Sequence, residues 1–338
     1  MIETAVVILN FNGKAWLQKF LPSVIQHSTS AKIFVADNHS SDGSAECITT
    51  EFPHVELIQI SENRGFCGGY NYALNQIAAT YYVLLNSDVE VTAGWLEPMI
   101  ELLEKDSTIA AVQPKVLSYH NKESFEYAGA GGGFIDALGY PFCRGRIFNS
   151  IEKDEHQYND TVPVFWATGA CLVVRSDLYK KMNGLDEDFF AHMEEIDLCW
   201  KLHRAGYQIY YQGKSTIYHV GGGTLPASNP KKTYLNFRNG LSLVIRHFSM
   251  AEVFYKLPLR IFLDWLAVIK FLLEGAPLDA MAVIKAHVHC AGKFRKELKK
   301  RSELKKQLPR YAAKWIYPRL IVVDFYIRGK KFFHQLHV

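Results

Sequence analysis

Several features are scarce in this 338-residue chain, and each absence removes a class of protein. The six cysteines (Cys47, Cys67, Cys143, Cys171, Cys199 and Cys290) form no C-x-x-C pair and no zinc-type spacing, which argues against a disulfide scaffold and for a reducing compartment. No stretch offers the roughly 18 uncharged apolar residues of a spanning helix. The nearest approach, Leu257–Leu273, is interrupted by Arg260, Asp264 and Lys270. The opening Met1-Ile2-Glu3-Thr4 runs at once into the short apolar stretch Ala5–Leu9, without the basic lead-in of a signal peptide. There is no internal repeat and no low-complexity tract. After the first apolar run Asn10-Phe11-Asn12-Gly13 stands where a dinucleotide-binding chain carries G-x-G-x-x-G, which argues against dinucleotide binding.

What is present describes a folded protein, with 49% hydrophobic and 21% charged residues. The length suits a large domain with an appendage. A net charge of +4 hides an uneven distribution: residues 286–338 carry 14 Lys/Arg against 3 Asp/Glu, so the rest of the chain is acidic. A basic tail on an acidic body points to an anionic partner, either nucleic acid or a lipid surface.

The first half alternates strands and helices. Ala5–Leu9 is a continuous buried-strand pattern, Lys32–Ala36 a second, Val55–Ile60 a third and Tyr81–Leu85 a fourth, with helical patterns between. This rhythm predicts an α/β fold with a mostly parallel sheet and flanking helices, whose ligand sits beyond the carboxyl ends of the strands. From about Glu90 to Gly240 the pattern is mixed. Tyr127–Gly145, rich in glycine and aromatics, reads as loop or short hairpin, and Val164–Arg175 as a strand pair around Thr168-Gly169-Ala170. Glu194–Ala205 reads as a helix and Tyr207–Tyr211 as a strand. After Thr233 the chain turns helical.

Four punctuations could carry chemistry. Asp37-Asn38, after the second strand, suits a ribose hydroxyl or base N–H, and equally a helix cap. Asn63-Arg64-Gly65-Phe66-Cys67-Gly68-Gly69 permits close approach of backbone to a ligand, or is an ordinary turn into a Tyr72–Ala79 helix. On Asn86-Ser87-Asp88 one carboxylate suffices for Mg²⁺, which keeps waters and substrate phosphates in its shell; the same residues also make plain turns. Tyr218-His219-Val220-Gly221-Gly222-Gly223-Thr224 ends another strand and offers a histidine to a metal or phosphate. The densest feature is Asp186–Asp197, with six carboxylates in twelve residues among Phe189 and Phe190. A carboxylate with one apolar wall suits a general base, while Glu194, Glu195 and Asp197 also fit helix-start electrostatics. Composition alone does not single out which one acts. Arg238-Asn239 offers a guanidinium to a diphosphate or to an acidic neighbour.

Taken in order, Val6–Gly13, Val35–Ser44, Asn63–Asn71, Leu84–Val89, Gly169–Arg175, Gly184–Trp200, His219–Thr224 and Tyr234–Leu241 resemble glycosyltransferase family two, the inverting GT-A type, and most its rhamnosyltransferase-like branch of bacterial surface polysaccharide synthesis. The resemblance implies a GT-A Rossmann-like catalytic domain over residues 1–245, with a nucleotide-binding half (1–90) and an acceptor-binding half (91–245), followed by a helical, basic and aromatic extension (246–338). It implies a nucleoside-diphosphate sugar donor, UDP- or dTDP-linked, contacted by Asn10, Asp37, Asn63, Arg64, Asn86, Asp88 and Arg238. It implies a divalent cation, Mg²⁺ or Mn²⁺, held by Asp88 with His219. Glu195 becomes the general base, with Glu194, Asp197, Thr168 and Gly169 on the side of a glycan or lipid-linked acceptor. Two departures are visible: Asn86 occupies the first acidic position of D-x-D, and the base is Glu where the family usually has Asp. The glycine-rich segment Ala128–Arg146, on to Asp160, lies where an acceptor-side loop would close.

The C-terminal third admits two readings: helices packed on the catalytic domain, or an interfacial helix at Phe254–Leu273 followed by basic and aromatic residues suited to an anionic membrane surface. The second places the protein in the cytoplasm, peripheral on the inner face of the cell membrane, with no nucleic-acid partner. A sugar nucleotidyltransferase is the enzymatic rival, disfavoured because Asn10–Lys14 has one glycine and one lysine for a triphosphate. A non-catalytic nucleotide-sugar-binding scaffold is the other, disfavoured by intact Asp37, Asp88, Glu195 and His219.

Overall fold

In the computed structural model, residues 2–221, 229–310 and 315–336 are described. The first half follows the predicted alternation: β1 (Ile2–Asn10), α1 (Lys14–His27), β2 (Lys32–Asp37), α2 (Ser44–Glu51), β3 (Glu56–Gln59), α3 (Gly65–Leu74) and β4 (Ala79–Asn86). Then come β5 (Val89–Val91), α4 (Glu97–Lys105), β6 (Ile109–Ser118), β7 (Gly133–Asp136), β8 (Pro141–Cys143), β9 (Arg146–Ile147), β10 (Ser150–Ile151), β11 (Thr161–Val164), β12 (Cys171–Arg175), α5 (Ser176–Lys181), α6 (Glu194–Arg204) and β13 (Gln208–His219). The chain ends with α7 (Pro230–His247), α8 (Met250–Leu273), α9 (Pro277–Gln307), β14 (Ile316–Tyr317) and α10 (Ile321–Tyr326).

The main sheet runs β11-β13-β6-β12-β4-β1-β2-β3, with β5 pairing β13. Its β3-β2-β1-β4 side is wholly parallel, as expected of a nucleotide-binding half. Toward the other edge antiparallel neighbours enter, because β12 inserts antiparallel between β4 and β6. Alternation along β1 explains the layers. Val6 and Ile8 join one core with Leu17, Leu21 and Trp95, while Ala5 and Val7 join the other with Tyr70, Ala73 and Trp200.

Two local expectations change, and a third is filled in. The glycine-rich stretch after Arg64 is itself α3, not a turn into a later helix. A Cβ on Gly69 would stand 2.6 Å from Leu9, so this glycine lets the helix close on β1. Val164 and Cys171 belong to strands that do not pair with each other, since β11 bonds to β13 and β12 to β4 and β6. The segment 128–151, read as loop or short hairpin, holds the β7–β8 hairpin and two further short strands. It forms a small sheet, β10-β9-β8-β7-β14, in which Gly133 lies against the Trp166 ring and leaves no room for a Cβ.

That small sheet also joins the two ends of the molecule. β14 pairs with β7, and buried Asp136 accepts N–H bonds from Leu138, Tyr140 and Ile321. Leu304, Tyr317, Ile321 and Phe325 share one core with Phe134 and Val244. Residue 245 therefore marks no break in packing: it lies inside α7, and Arg301 donates to the carbonyls of Ile245 and Phe248.

Candidate active site

Three strand ends build the first corner. Asn10 and Asp37 are paired residues at the carboxyl ends of β1 and β2, both buried. Asn10 Nδ2 donates to Asp37 Oδ1 (3.0 Å) and to Ser40 Oγ (3.2 Å), and the Ser40 N–H donates to Asp37 Oδ2 (3.0 Å). A carboxylate has about four acceptor positions, so Asp37 keeps capacity for a ligand hydroxyl or N–H. Asn38 laces this corner to the next loop: its Nδ2 donates to Asn63 Oδ1 and to the Gly65 carbonyl, both at 3.0 Å, and its Oδ1 accepts from the Arg64 N–H. Asn63 is thus a loop organiser, accepting also from the Gly65 N–H. The Arg64 guanidinium lies over Tyr72 and beside Glu62, on the surface.

The second corner forms where β4 ends. Pairing of β5 with the end of β13 sets His219 opposite Val89, one residue beyond Asp88. His219 Nε2 lies 3.2 Å from Asp88 Oδ1 and 3.4 Å from Asn86 Nδ2, and its Nδ1 lies 3.3 Å from Glu126 Oε2. Asp88, Glu126 and His219 are all buried. Burial alone would push the imidazole down, but hydrogen bonds and charge from Asp88 and Glu126 outweigh it and lift its pKa to about 10. Burial likewise opposes ionisation of Glu126, yet the His219 contact holds it below the usual range. Gly221 is required here, because a Cβ would come 2.5 Å from Glu126 Oε1. Gly222, Gly223 and Thr224 lie outside the described residues.

No group of three or more His, Cys, Asp or Glu side chains arranged as metal ligands occurs among the described residues. The donor set fits a divalent ion that keeps substrate phosphates in its shell once that ion displaces the proton held between Asp88 and His219 Nε2: one carboxylate, one neutral imidazole and an amide then meet at one point. Glu126 on Nδ1 is the outer partner that orients a ligating histidine.

The third corner is the start of α6. Of the six carboxylates, three are bound to side chains outside the cluster. Asp186 pairs with Arg246 (2.9 Å) and Lys300 (2.6 Å), and Asp188 with Lys296 (2.7 Å) and Lys300. Asp197, expected on the acceptor side, accepts from His247 Nε2 (2.8 Å) and pairs with Lys201 (2.6 Å). It lies two residues on, toward the far side of α6 from Glu195, and the Lys201 charge with the His247 hydrogen bond holds it ionised against its burial. Its role is structural. Glu187 lies 3.3 Å from Asn71 Nδ2. That leaves Glu194 and Glu195, whose Oε2 atoms make no hydrogen bond among the described residues. Burial, with the charge of Glu195, pushes Glu194 well up. Burial also raises Glu195, and backbone N–H groups at the helix start limit the rise to about 7. Burial thus makes this pair of carboxyls hold a proton more tightly than ordinary glutamates do.

The approach to this pair is strained. Phe190 (φ 65°), His192 (φ 66°) and Met193 (φ 71°) are all left-handed non-glycine residues. Asn239 holds them: buried on α7, its Nδ2 reaches the carbonyls of Phe189 (3.1 Å), Ala191 (3.0 Å) and His192 (2.6 Å). Arg238, expected at a diphosphate, instead donates to the Asp188 (2.9 Å) and Phe189 (2.7 Å) carbonyls. Its fork clamps this loop. Gly169 borders the pair, since a Cβ there would sit 3.9 Å from Glu194 Oε1 and from Glu195 Cδ. Thr168 is buried and ties the loop, donating to Ala128 O and accepting from the Ala170 N–H, both at 3.1 Å. Ala170 O in turn accepts from the Asn86 N–H (3.0 Å), so the second and third corners share one loop.

Asn38, Glu126 and Asn239 were not among the sequence-derived site residues. Asn38 and Asn239 sat visibly beside Asp37 and Arg238, whereas nothing local marked Glu126.

The family profile Glycosyl transferase family 2 matches residues 5–182, just over half of the chain. Over 256 residues the chain is 24% identical to the N-acetylglucosaminyl-diphospho-decaprenol L-rhamnosyltransferase of Mycobacterium tuberculosis, covering 68% of this chain and 82% of the relative. Among solved structures, GalNAc-T7 with UDP, GalNAc and Mn²⁺ superposes with a TM-score of 0.57 at 13% identity, covering 74% of this chain and 49% of the other. The mannosyltransferase PcManGT from Pyrobaculum calidifontis, in complex with GDP-Man and Mn²⁺, gives 0.53 at 13% identity, covering 91% and 86%. These likenesses show the GT-A fold.

Proposed function

This chain belongs to glycosyl transferase family 2, and from that premise we propose that it moves a sugar from a UDP- or dTDP-linked donor to a hydroxyl of a glycan or lipid-linked acceptor, with inversion, in cell-surface polysaccharide synthesis. The observation that carries the reading is Glu195: a carboxylate poised to about 7, with one oxygen unbonded, beside Gly169 on a loop shared with the Asp88–His219 corner. A base works best with a pKa near the working pH. Glu195 takes the acceptor proton as the hydroxyl oxygen forms its bond to the anomeric carbon and the bond to the diphosphate breaks.

Asn10 and Asp37 border the nucleoside, with Asn63 and Arg64 at its edge. Asp88 and the Nε2 of His219 are the groups that would hold a divalent cation, whose charge supports the departing diphosphate. Both named structural neighbours were solved with Mn²⁺, which supports such an ion. The rhamnosyltransferase relative supports a deoxyhexose donor and a lipid-linked diphosphate acceptor.

The test is donor turnover with a panel of nucleoside-diphosphate sugars and Mn²⁺, on wild type and Glu195→Gln. Loss of a positioned base lowers the rate by ~10²–10⁴. Equal rates in both remove Glu195 as the base, and turnover of no donor by either removes the transferase reading for this site.

A further inference from the structure

α8 is turned inside out. Its charged residues Lys256, Arg260 and Asp264 face the protein and are buried. Asp264, wholly buried, accepts from Tyr140 Oη (2.9 Å), Arg260 Nε (3.2 Å) and His287 Nε2 (3.1 Å), and Arg260 also donates to the Leu138 carbonyl. The outward face is apolar instead. Phe254 (85% exposed), Phe262, Trp265, Ile269, Leu272 and Leu273 (83%) all stand in solvent. At 100° per residue these side chains fall within one arc free of charged residues, running some ~30 Å along the helix. Monomeric proteins rarely expose so large a continuous apolar surface without a partner for it.

The neighbouring helix indicates which partner. α9 packs beside α8, with Leu257 and Ile261 of α8 and Phe294 and Leu298 of α9 meeting the same cluster of Leu241, Ile245 and Cys290. Its exposed stripe sets Lys285 between Met281 and Val288 and is basic beyond them with Arg295 and Lys299. A second copy of the chain would bring the same basic region against itself, at a cost in like-charge repulsion. Anionic headgroups complement it while acyl chains cover the aromatic face. No helix among the described residues is long and apolar enough to cross a membrane, so this is a surface mode.

We infer that the outer face of α8, flanked by the basic stripe of α9, lies in the surface of an anionic lipid bilayer. The inference stands on this face alone and does not depend on the transferase site.

The experiment is co-sedimentation of the full chain with vesicles of phosphatidylglycerol and phosphatidylcholine, against phosphatidylcholine alone, with sedimentation velocity of the free protein alongside. Wild type should pellet with the anionic vesicles. Phe262→Asp with Ile269→Asp should lower partitioning on the order of tenfold or more, since two buried apolar side chains are lost. Replacing Lys285, Arg295 and Lys299 by Ala should lower it about fivefold per charge, from ~1 kcal/mol each. Phe254→Glu and Leu273→Glu, at the two most exposed positions, serve as second variants should the double variant fail to fold. Wild type remaining in the supernatant would overturn the inference. So would a wild-type dimer that Phe262→Asp with Ile269→Asp dissociates while vesicles bind neither form, because the face would then be a protein interface.

Discussion

Replacing Glu195 by Gln should disable the enzyme and stabilise it, and the pH dependence of the second effect is what makes the pair diagnostic. In the folded protein burial lifts Glu195 from the ordinary 4.5 to about 7. A carboxyl whose folded pKa is raised holds its proton more tightly folded than unfolded. Its contribution to stability is therefore fully present below pH 4.5 and is lost as the pH rises through 7. At pH 8 the ionised side chain costs ~3 kcal/mol, at 1.36 kcal/mol per pKa unit. Gln is isosteric and carries no charge. Glu195→Gln should then gain up to ~3 kcal/mol over wild type in urea denaturation at pH 8, and almost nothing at pH 4. Wild-type kcat/KM should fall tenfold per pH unit below about 7, an acid limb absent from the residual activity of the variant. A variant no more stable than wild type at pH 8 refutes the burial argument. An unchanged acid limb in the variant shows that another group titrates.

Further outcomes follow from the same geometry. Asn239→Ala leaves the Ala191 and His192 carbonyls without this donor, while Phe189 keeps Arg238; each unsatisfied group costs ~1–3 kcal/mol, so the urea midpoint should drop. Its kcat should also fall more than its KM rises, whereas unchanged kcat per folded molecule would show that the staple does not position Glu195. Asp88→Asn should abolish the thermal shift given by nucleoside diphosphate with Mn²⁺, and in wild type Mn²⁺ alone should give only a small shift, because one carboxylate and one imidazole make a weak site without the phosphates. Arg246→Met strands buried Glu297, while Asp186 keeps Lys300; removing one partner of a buried ion pair costs ~3–5 kcal/mol, measurable by denaturant melts. A cost below about 1 kcal/mol would mean that the pair is solvated in practice.

The parallel half was legible because its signals are local. Ala5–Ile8 is buried on both faces, and Asn10, Asp37 and Asn86 terminate their strands where the sequence punctuates them. α3 was read as a turn because glycine is a poor helix former, and close packing on Leu9 overrode that propensity. The acidic run at 186–197 was visible as a cluster. Which of its members is free depends on Lys300, Lys296, Arg246 and His247, all fifty or more residues away, and no spacing rule reaches that far. The same distance hid Glu126, and hid the role of Asn239 though the residue itself stood beside Arg238. Asn239 acts on carbonyls that any residue presents, and Glu126 acts through a histidine on another strand.

α8 shows how a correct pattern can be oriented the wrong way. Its apolar residues recur at helical spacing, and the usual inference sends that stripe inward. Here the rotation of the helix is set by Asp264. Its two oxygens take donors from a loop tyrosine, from the same helix and from α9. Turning the helix over would place Arg260 and Asp264 in water at little cost to themselves. It would also strip Tyr140 and the Leu138 carbonyl of their partners, and drive Phe262 and Trp265 into space shaped for a guanidinium stacked 3.4 Å over the Tyr140 ring. A fully satisfied buried network specifies one arrangement, and burial of the apolar stripe is given up inside the fold as a result. A hydrophobic surface left outside by such a network has been kept for contact with something other than the protein's own core.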